Sequence, residues 1–443
     1  MRKELWFAMV VWVAALVTCA PAAHAGEVDL LVQKLVDKGV LSANEGQILL
    51  DETKQQVAKQ NATATNDAIP LWIQTTKIKG DTRLRFEGVK DKLTTSGAAA
   101  KYVTHERLRV RLGLESKVND QMKVGIGIAT GKTTDPRSRN ISLGNSTDAP
   151  VTGTTATDNT PASGKNILLD YAYADWSPSP YVTITGGKFQ NPIWSPWDMI
   201  WKGDITPEGA AVKINYPVNG DLQLFFNNLD FVLRNIDTAG SKQPGMYAVQ
   251  PGFVYSVAPW ASLKGAVAYY QFENLRGNPK FSYSKGGNTL DSNSNYKYNY
   301  NSLQESAELG IQNHLGAFGE LVPYFAVFGD YIYDLSASGS SGRGGFDTGV
   351  KFGYEKVADW KQWQGKLATS KIGHDAWVDA FTDSDRYQKG KTNTQSYEGV
   401  LEYGLGKNTS LVLDYYYSFL LPKQTVGGHL PEQVVQVDWN LKF

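Results

Sequence analysis

The sequence predicts a transmembrane antiparallel up-and-down β-barrel of about sixteen strands with a short N-terminal helical segment, and three observations carry the prediction. Apolar and polar residues alternate along segment after segment, as strands with two unlike faces require. The connections between segments alternate as well, short ones with long polar ones. Finally, the chain ends on an aromatic residue, Phe443, in a segment where Val435, Val437, Trp439 and Leu441 share its face while Val434, Gln436, Asp438, Asn440 and Lys442 occupy the other. One such face suits lipid and the other water.

A chain of 443 residues fits several soluble domains or one large barrel. Aromatic residues make up 12% of it, with 23 Tyr and 12 Trp, yet hydrophobic residues reach only 42%. Beyond the first twenty residues no apolar run approaches the roughly 20 residues of a spanning helix. Barrel strands need apolar residues only at alternate positions, so this composition suits them. The 44 basic and 44 acidic residues balance, which argues against a nucleic-acid partner held by phosphate contacts. The single cysteine, Cys19, falls in the leader described next, so the mature chain offers no disulfide, thiolate ligand or attached haem. No cofactor is implied.

Arg2 and Lys3 precede an apolar run from Leu5 to Ala20 and the small-residue triplet Ala23-His24-Ala25, the pattern of a signal peptide over residues 1–25. A lipoprotein signal at Cys19 is the competing reading, and Thr18 stands there where a smaller residue is usual. Residues 26–60 change to a helical period, with Leu30, Leu31, Leu35 and Val36 before Gly39 and Ile48, Leu49 and Val57 after it. Ser42 followed by Glu45 forms a capping box for the second helix. This reads as a periplasmic helical or coiled segment, followed by a linker over 61–76.

From residue 77 to 443 the barrel strands are expected at 77–87, 104–116, 121–130, 166–176, 180–188, 208–216, 220–227, 246–257, 261–272, 305–315, 319–333, 344–356, 363–373, 394–404, 409–419 and 433–443. Short connections such as 117–120, 177–179, 217–219 and 405–408 alternate with long ones at 131–165, 189–207, 273–304, 374–393 and 420–432. Tight turns at one rim and long loops at the other, with an even strand count, distinguish a bacterial barrel from a soluble sandwich. The loops 131–165 and 273–304, dense in Thr, Ser, Asn and Gly, are expected to be extracellular. Gly125 and Gly127 are expected to relieve strain where the sheet bends.

The densest charge pattern is a basic strip, Arg83 and Arg85 on the first strand and Arg107, Arg109 and Arg111 on the second. All five lie opposite Leu84, Phe86, Leu108, Val110 and Leu112, and antiparallel neighbours bring the two sets together. Arginine facing lipid at the midplane costs about 2–4 kcal/mol, so the strip must face a wet lumen. It is either a wall ladder neutralised by Asp81, Glu87 and Glu115 or a field that biases permeation. The loop 189–207 carries Trp194, Trp197, Asp198, Trp201, Lys202 and Asp204. Three Trp in an exposed loop are out of place. Folded inward they would narrow a pore, with Asp198 and Asp204 facing the strip; folded outward they would serve a trimer contact or an interfacial anchor. Further lumen carboxylates are Asp170, Glu398, Glu402, Asp414 and Asp438, on separate strands and without a nucleophile–base pattern. His105, His314, His374 and His429 show no metal-ligand spacing. Nothing here points to an enzyme.

Several stretches carry a family resemblance: Lys79-Gly80-Asp81-Thr82-Arg83-Leu84-Arg85, Glu106 to Arg111, Leu169-Asp170-Tyr171-Ala172-Tyr173, Gly186 to Pro192, Trp197-Asp198, Glu208-Gly209 and Phe381-Thr382-Asp383-Ser384-Asp385. With these the chain resembles the putative-porin family of Gram-negative outer-membrane proteins, of the kind common in metal-reducing deltaproteobacteria. Tyr171, where the pattern has Gln, and Arg386 depart from it. The resemblance implies a passive channel for small hydrophilic solutes, with outer-membrane lipid and lipopolysaccharide around it. It also implies Phe443 as a signal to the barrel-assembly machinery, and a homo-oligomer, a trimer. Two other readings are a barrel sheath around a separate multihaem cytochrome and a substrate-specific anion channel.

Overall fold

The computed structural model describes residues 70–91, 101–144, 164–236, 242–421 and 431–443, with scattered positions between 32 and 55. The expected signal peptide lies outside the described residues. Two units are distinguished, Met1–Gln74 and Thr75–Phe443. In the first, residues 44–52 are helical, and the capping box is formed: the backbone N–H of Ser42 donates to Glu45 Oε2 at 2.9 Å and that of Glu45 to Ser42 Oγ at 3.2 Å. Within the expected linker, Leu71–Gln74 forms one helical turn directly after Pro70, a residue suited to opening a helix.

The second unit is a closed antiparallel sheet. Its strands are β1 (Lys77–Asp91), β2 (Lys101–Lys117), β3 (Met122–Thr130), β4 (Ile141–Ser142), β5 (Ile167–Ser179), β6 (Val182–Lys188), β7 (Glu208–Pro217), β8 (Leu222–Val232) and β9 (Gly245–Ala258). They continue with β10 (Ala261–Glu273), β11 (Ser302–Gln312), β12 (Tyr324–Asp334), β13 (Gly344–Gly353), β14 (Trp363–Ile372), β15 (Thr394–Gly406), β16 (Thr409–Leu420) and β17 (Glu432–Lys442). Among the described residues sixteen of these seventeen run the wall; β4 is a two-residue piece that pairs with β2 beyond the end of β3. The wall closes where β1 meets β17, with Arg83 opposite Asn440 and Arg85 opposite Asp438. Phe443 completes that seam by exchanging backbone hydrogen bonds of 2.9 Å with Gly80, and its ring lies where any side chain on residue 80 would stand.

Alternation is visible in burial. Leu84, Phe86, Leu411, Leu413 and Trp439 are exposed on the outer face, whereas Arg85, Glu87, Gln436 and Asp438 are buried on the inner one. A bulge in β5 sets Asp170 between the partners of Gly127 and Ile128, and beyond it the rings of Tyr171 and Tyr173 lie over Gly113, Gly125 and Gly127. Those glycines therefore make room for aromatic rings on the inner wall, a close approach that any Cβ would block.

Some boundaries differ from expectation. β11 ends at Gln312 and β12 begins at Tyr324, so the connection is longer than the expected 316–318; its centre, Gly316–Phe318, forms a 3₁₀ turn ahead of Pro323. β5 runs on to Ser179, so the turn falls at 180–181. The larger difference concerns the loops. The described part of 131–165 and the loop 273–301 do not stand out from the rim: Arg137, Tyr296 and Tyr300 are all fully buried. Loop 273–301 joins loops 189–207 and 373–393 in one apolar core, in which Phe189, Met199, Ile200, Phe281, Trp377 and Phe381 pack against inward residues such as Leu229, Met246, Phe272 and Ile332, while Arg137 of the first loop donates to the Tyr283 carbonyl at 3.0 Å. Polar composition concealed this, because the polar residues satisfy the backbone and only a few large rings are needed to hold the loops in place.

Candidate functional site

β1 and β2 carry the basic strip on their inner face, beside β17, and the structure gives each arginine a defined partner. Arg85 forms a two-pronged pair with Asp438, 2.6 and 2.7 Å, and lies 3.4 Å from Asp385. Arg83 donates to Asn140 Oδ1 at 2.8 Å and lies 3.6 Å from Asp438. Arg107 pairs with Glu87 at 2.7 Å. Arg109 and Arg111 share Asp81, at 2.8 and 2.7 Å, and both approach Asp204 of the 189–207 loop, at 3.8 and 3.7 Å. Glu115 pairs with Lys79 instead of the strip. Doubly hydrogen-bonded, charge-assisted pairs of this kind fix side-chain direction as well as energy.

The 189–207 loop is fastened at several points to residues of the wall strands. Trp194 exchanges hydrogen bonds with Gln250 of β9, its N–H to Oε1 at 2.8 Å and its carbonyl with Nε2 at 2.7 Å. Ser195 donates to Asp330 of β12 at 2.9 Å. Trp197 stacks on Phe328 at 5.5 Å, and its Nε1–H donates to Glu398 of β15 at 3.0 Å. Trp201 stacks on Phe381 at 5.2 Å. Asp204 thus faces the strip, whereas Asp198 reaches Arg386 of the 373–393 loop at 3.3 Å. The expected common facing of the two aspartates does not occur, since Arg386 stands nearer to Asp198 than the strip does.

Lys202 binds both Asp383 and Asp385, the latter at 2.8 Å. Burial opposes its charge, but the two carboxylates overcome this and hold the ammonium well above the usual lysine range. Burial likewise works against ionised Asp385, yet Lys202 and Arg85 keep it well below the usual carboxylate range. Burial, with Asp198 and Asp385 close by, pushes Asp383 up to about 6. Burial also resists charge on Asp204, but Arg109, Arg83 and Lys202 outweigh it.

The other carboxylates are dispersed. Asp170 holds Arg139 at 2.6 Å, Glu402 accepts from Ser410 at 2.8 Å, and Glu398 lies 3.3 Å from Arg386. Asp414 lines a cavity together with Asp438 and Glu398. Arg137, Arg139, Asn140 and Arg386 escaped sequence reasoning as parts of the site. Arginines in a loop otherwise composed of small polar residues were the available signal for the first two.

Two cavities follow from this arrangement. The outer one, about 900 Å³, lies toward the long-loop rim against Glu87, His105 and Arg107. The inner one, about 700 Å³, lies toward the short-turn rim against Arg83, Lys202, Glu398 and Asp414. Asp385 lines both.

A family model described as "Putative porin" matches residues 94–306 and 288–443. Among solved structures, the high-pH structure of OprB from Pseudomonas putida aligns with a TM-score of 0.50 at 9% identity, covering 84% of this chain and 95% of that one. The outer-membrane channel DcaP of Acinetobacter baumannii aligns with a TM-score of 0.45 at 12% identity, covering 83% and 97%. Comparison with curated protein sequences gave no match. At 9% identity the likeness to OprB is one of fold alone. With the sixteen-stranded barrel in place and most of the chain matched by one family model, the chain belongs to the Putative porin family.

Proposed function

We propose that the protein is an outer-membrane diffusion channel whose passage runs along the β17–β1–β2 wall and narrows where Arg83, Arg85 and Lys202 oppose Asp385 and Asp438. The observation that carries this reading is that the outer and inner cavities share Asp385 in their linings. On the far side the loops form an apolar core against the wall, which leaves water only the charged side. Small hydrophilic solutes and ions would pass between fixed charges of both signs, which orient them and set selectivity. Loop 189–207 supplies part of the narrowing through Lys202 and Asp204.

The same loop core speaks against a sheath around a separate cytochrome, because it occupies lumen that such a partner would need. In planar bilayers the purified protein should give discrete ohmic steps without any partner. Silence in repeated reconstitutions of folded protein would refute the reading. A trimer, and Phe443 as an assembly signal, belong to the same proposal; the mass of the detergent-solubilised assembly tests the first, and outer-membrane yield of Phe443→Ala tests the second.

A further inference from the structure

Near the long-loop rim the inner wall changes character. Val89 of β1 stands opposite Val103 of β2 on one side and Val434 of β17 on the other. All three point inward and line the outer cavity, so an apolar patch spans three adjacent strands whose inner faces are otherwise polar. The Tyr283 ring also lines this cavity. One step deeper along the same strands lie Glu87, His105 and Gln436, and then Arg107.

The cavity is lined by charges of both signs. Its carboxylates are engaged: Glu87 with Arg107, Asp135 with Arg137 at 3.0 Å, Asp385 with Lys202, and Glu432 with the backbone N–H of Gln388 at 2.9 Å. Its cations gather together. Burial, then Arg107 and Lys132, holds the Lys389 ammonium below its usual range, with Lys285 adding to the effect. Arg107 Nε is buried without an acceptor although another nitrogen of the same group binds Glu87. The backbone also makes an effort to place Lys389, since Gln388, Lys389 and Gly390 have φ of +47°, +65° and +84°. Residues bearing side chains avoid this region unless surrounding structure imposes it, and such positions concentrate where ligands are gripped.

We propose that the outer cavity is a docking site for a small organic carboxylate with a compact apolar body, its carboxylate held by Lys389 and Arg107 and its body lying on the Val89–Val103–Val434 patch against Tyr283. The inference rests on the channel reading, as the cavity would be the capture site at the passage entrance. Four cations lining one cavity, with a buried Arg107 donor left unsatisfied among them, call for an anion. The adjoining valines call for one that carries hydrocarbon, which an inorganic anion lacks.

Benzoate added to the outer side of bilayer-inserted protein should reduce the single-channel current in a saturable way. Acetate and sulfate at matched ionic strength should not. Lys389→Asn, a residue that tolerates left-handed backbone, should raise the half-blocking concentration about tenfold, the loss of one charged contact. Val434→Thr should also weaken block by benzoate. Ohmic steps with no benzoate block, equal block by sulfate, or block unchanged in Lys389→Asn would each overturn the docking site while leaving the channel intact. If no steps appear, the channel reading fails, and calorimetric titration of benzoate into detergent-solubilised protein tests the site alone: saturable heat lost in Lys389→Asn supports it, and absence of heat overturns it.

Discussion

Asp385 is the residue through which the passage can be interrogated most directly, because both cavities meet on it and its removal need not unfold the protein. In Asp385→Asn, Lys202 keeps Asp383 and Arg85 keeps its two-pronged pair with Asp438. No buried cation is left without a carboxylate, so the 3–5 kcal/mol that breaking a buried pair commonly costs should largely be avoided. What changes is the field: the narrows become more positive by one charge. A unit charge about 4 Å from a permeating ion acts with about 1 kcal/mol in water-like surroundings, lowering the energy of an anion and raising that of a cation. The combined difference of about 2 kcal/mol, reduced by screening over a Debye length of about 10 Å at 0.1 M salt, corresponds to roughly a tenfold rise in the anion-to-cation permeability ratio. Reversal potentials in a salt gradient across single channels measure this ratio. An Asn variant that conducts normally with an unmoved reversal potential would refute a passage through this point.

Three other outcomes follow from the same geometry. Lowering the pH from 7 to 5 should protonate Asp383, whose carboxyl sits at about 6, and so raise the anion-to-cation ratio; the ratio in Asp383→Asn should vary far less over that range. The same elevation makes the folded state bind a proton that the unfolded chain has already released between about pH 4 and 6, so this group lowers stability as pH rises through that window, as denaturant midpoints would register. Trp201→Ala should remove the stack on Phe381 and the edge contact with Phe231 at 6.0 Å, at a cost of about 3–5 kcal/mol to loop packing, seen as a noisier and larger single-channel current. Gly127→Val should drive a side chain into the Tyr171 ring, costing about 1–3 kcal/mol or more, and should lower the yield of folded barrel in outer-membrane fractions.

The wall was legible because each strand states its two faces residue by residue, and Leu84–Arg85 or Leu413–Asp414 needs no tertiary knowledge to interpret. The seam was legible for the same reason, since the first and last strands of a closed sheet have only each other. What the loops do was not. Trp194, Trp197 and Trp201 raised suspicion about one loop, yet Phe281, Tyr296 and Tyr300 in a second, and Trp377 and Phe381 in a third, offered the same signal amid more polar neighbours. Ion pairs were less legible still. Asp385 reaches Arg85 across 300 positions, and Arg386 meets Asp198 across 188, so each partner depends on the return path of a loop. Asp170 gains its place beside Arg139 through a bulge that shifts the strand by one residue, which alternation cannot announce.

The pairing of Arg85 with Asp438 has a consequence for how the barrel comes to be. These residues stand 353 positions apart, one on the first strand and one on the last. While the sheet is still open, the leading edge carries Arg85 and the trailing edge Asp438 without the two-pronged pair they form in the closed wall, and each is costly to bring toward hydrocarbon. Joining the edges cancels both at once. A chain released with its last strand missing would therefore lose more than one strand's hydrogen bonds: Arg85 would keep only its looser contact with Asp385, a penalty that grows as the nascent sheet enters the bilayer and vanishes only when the two ends of the sequence meet.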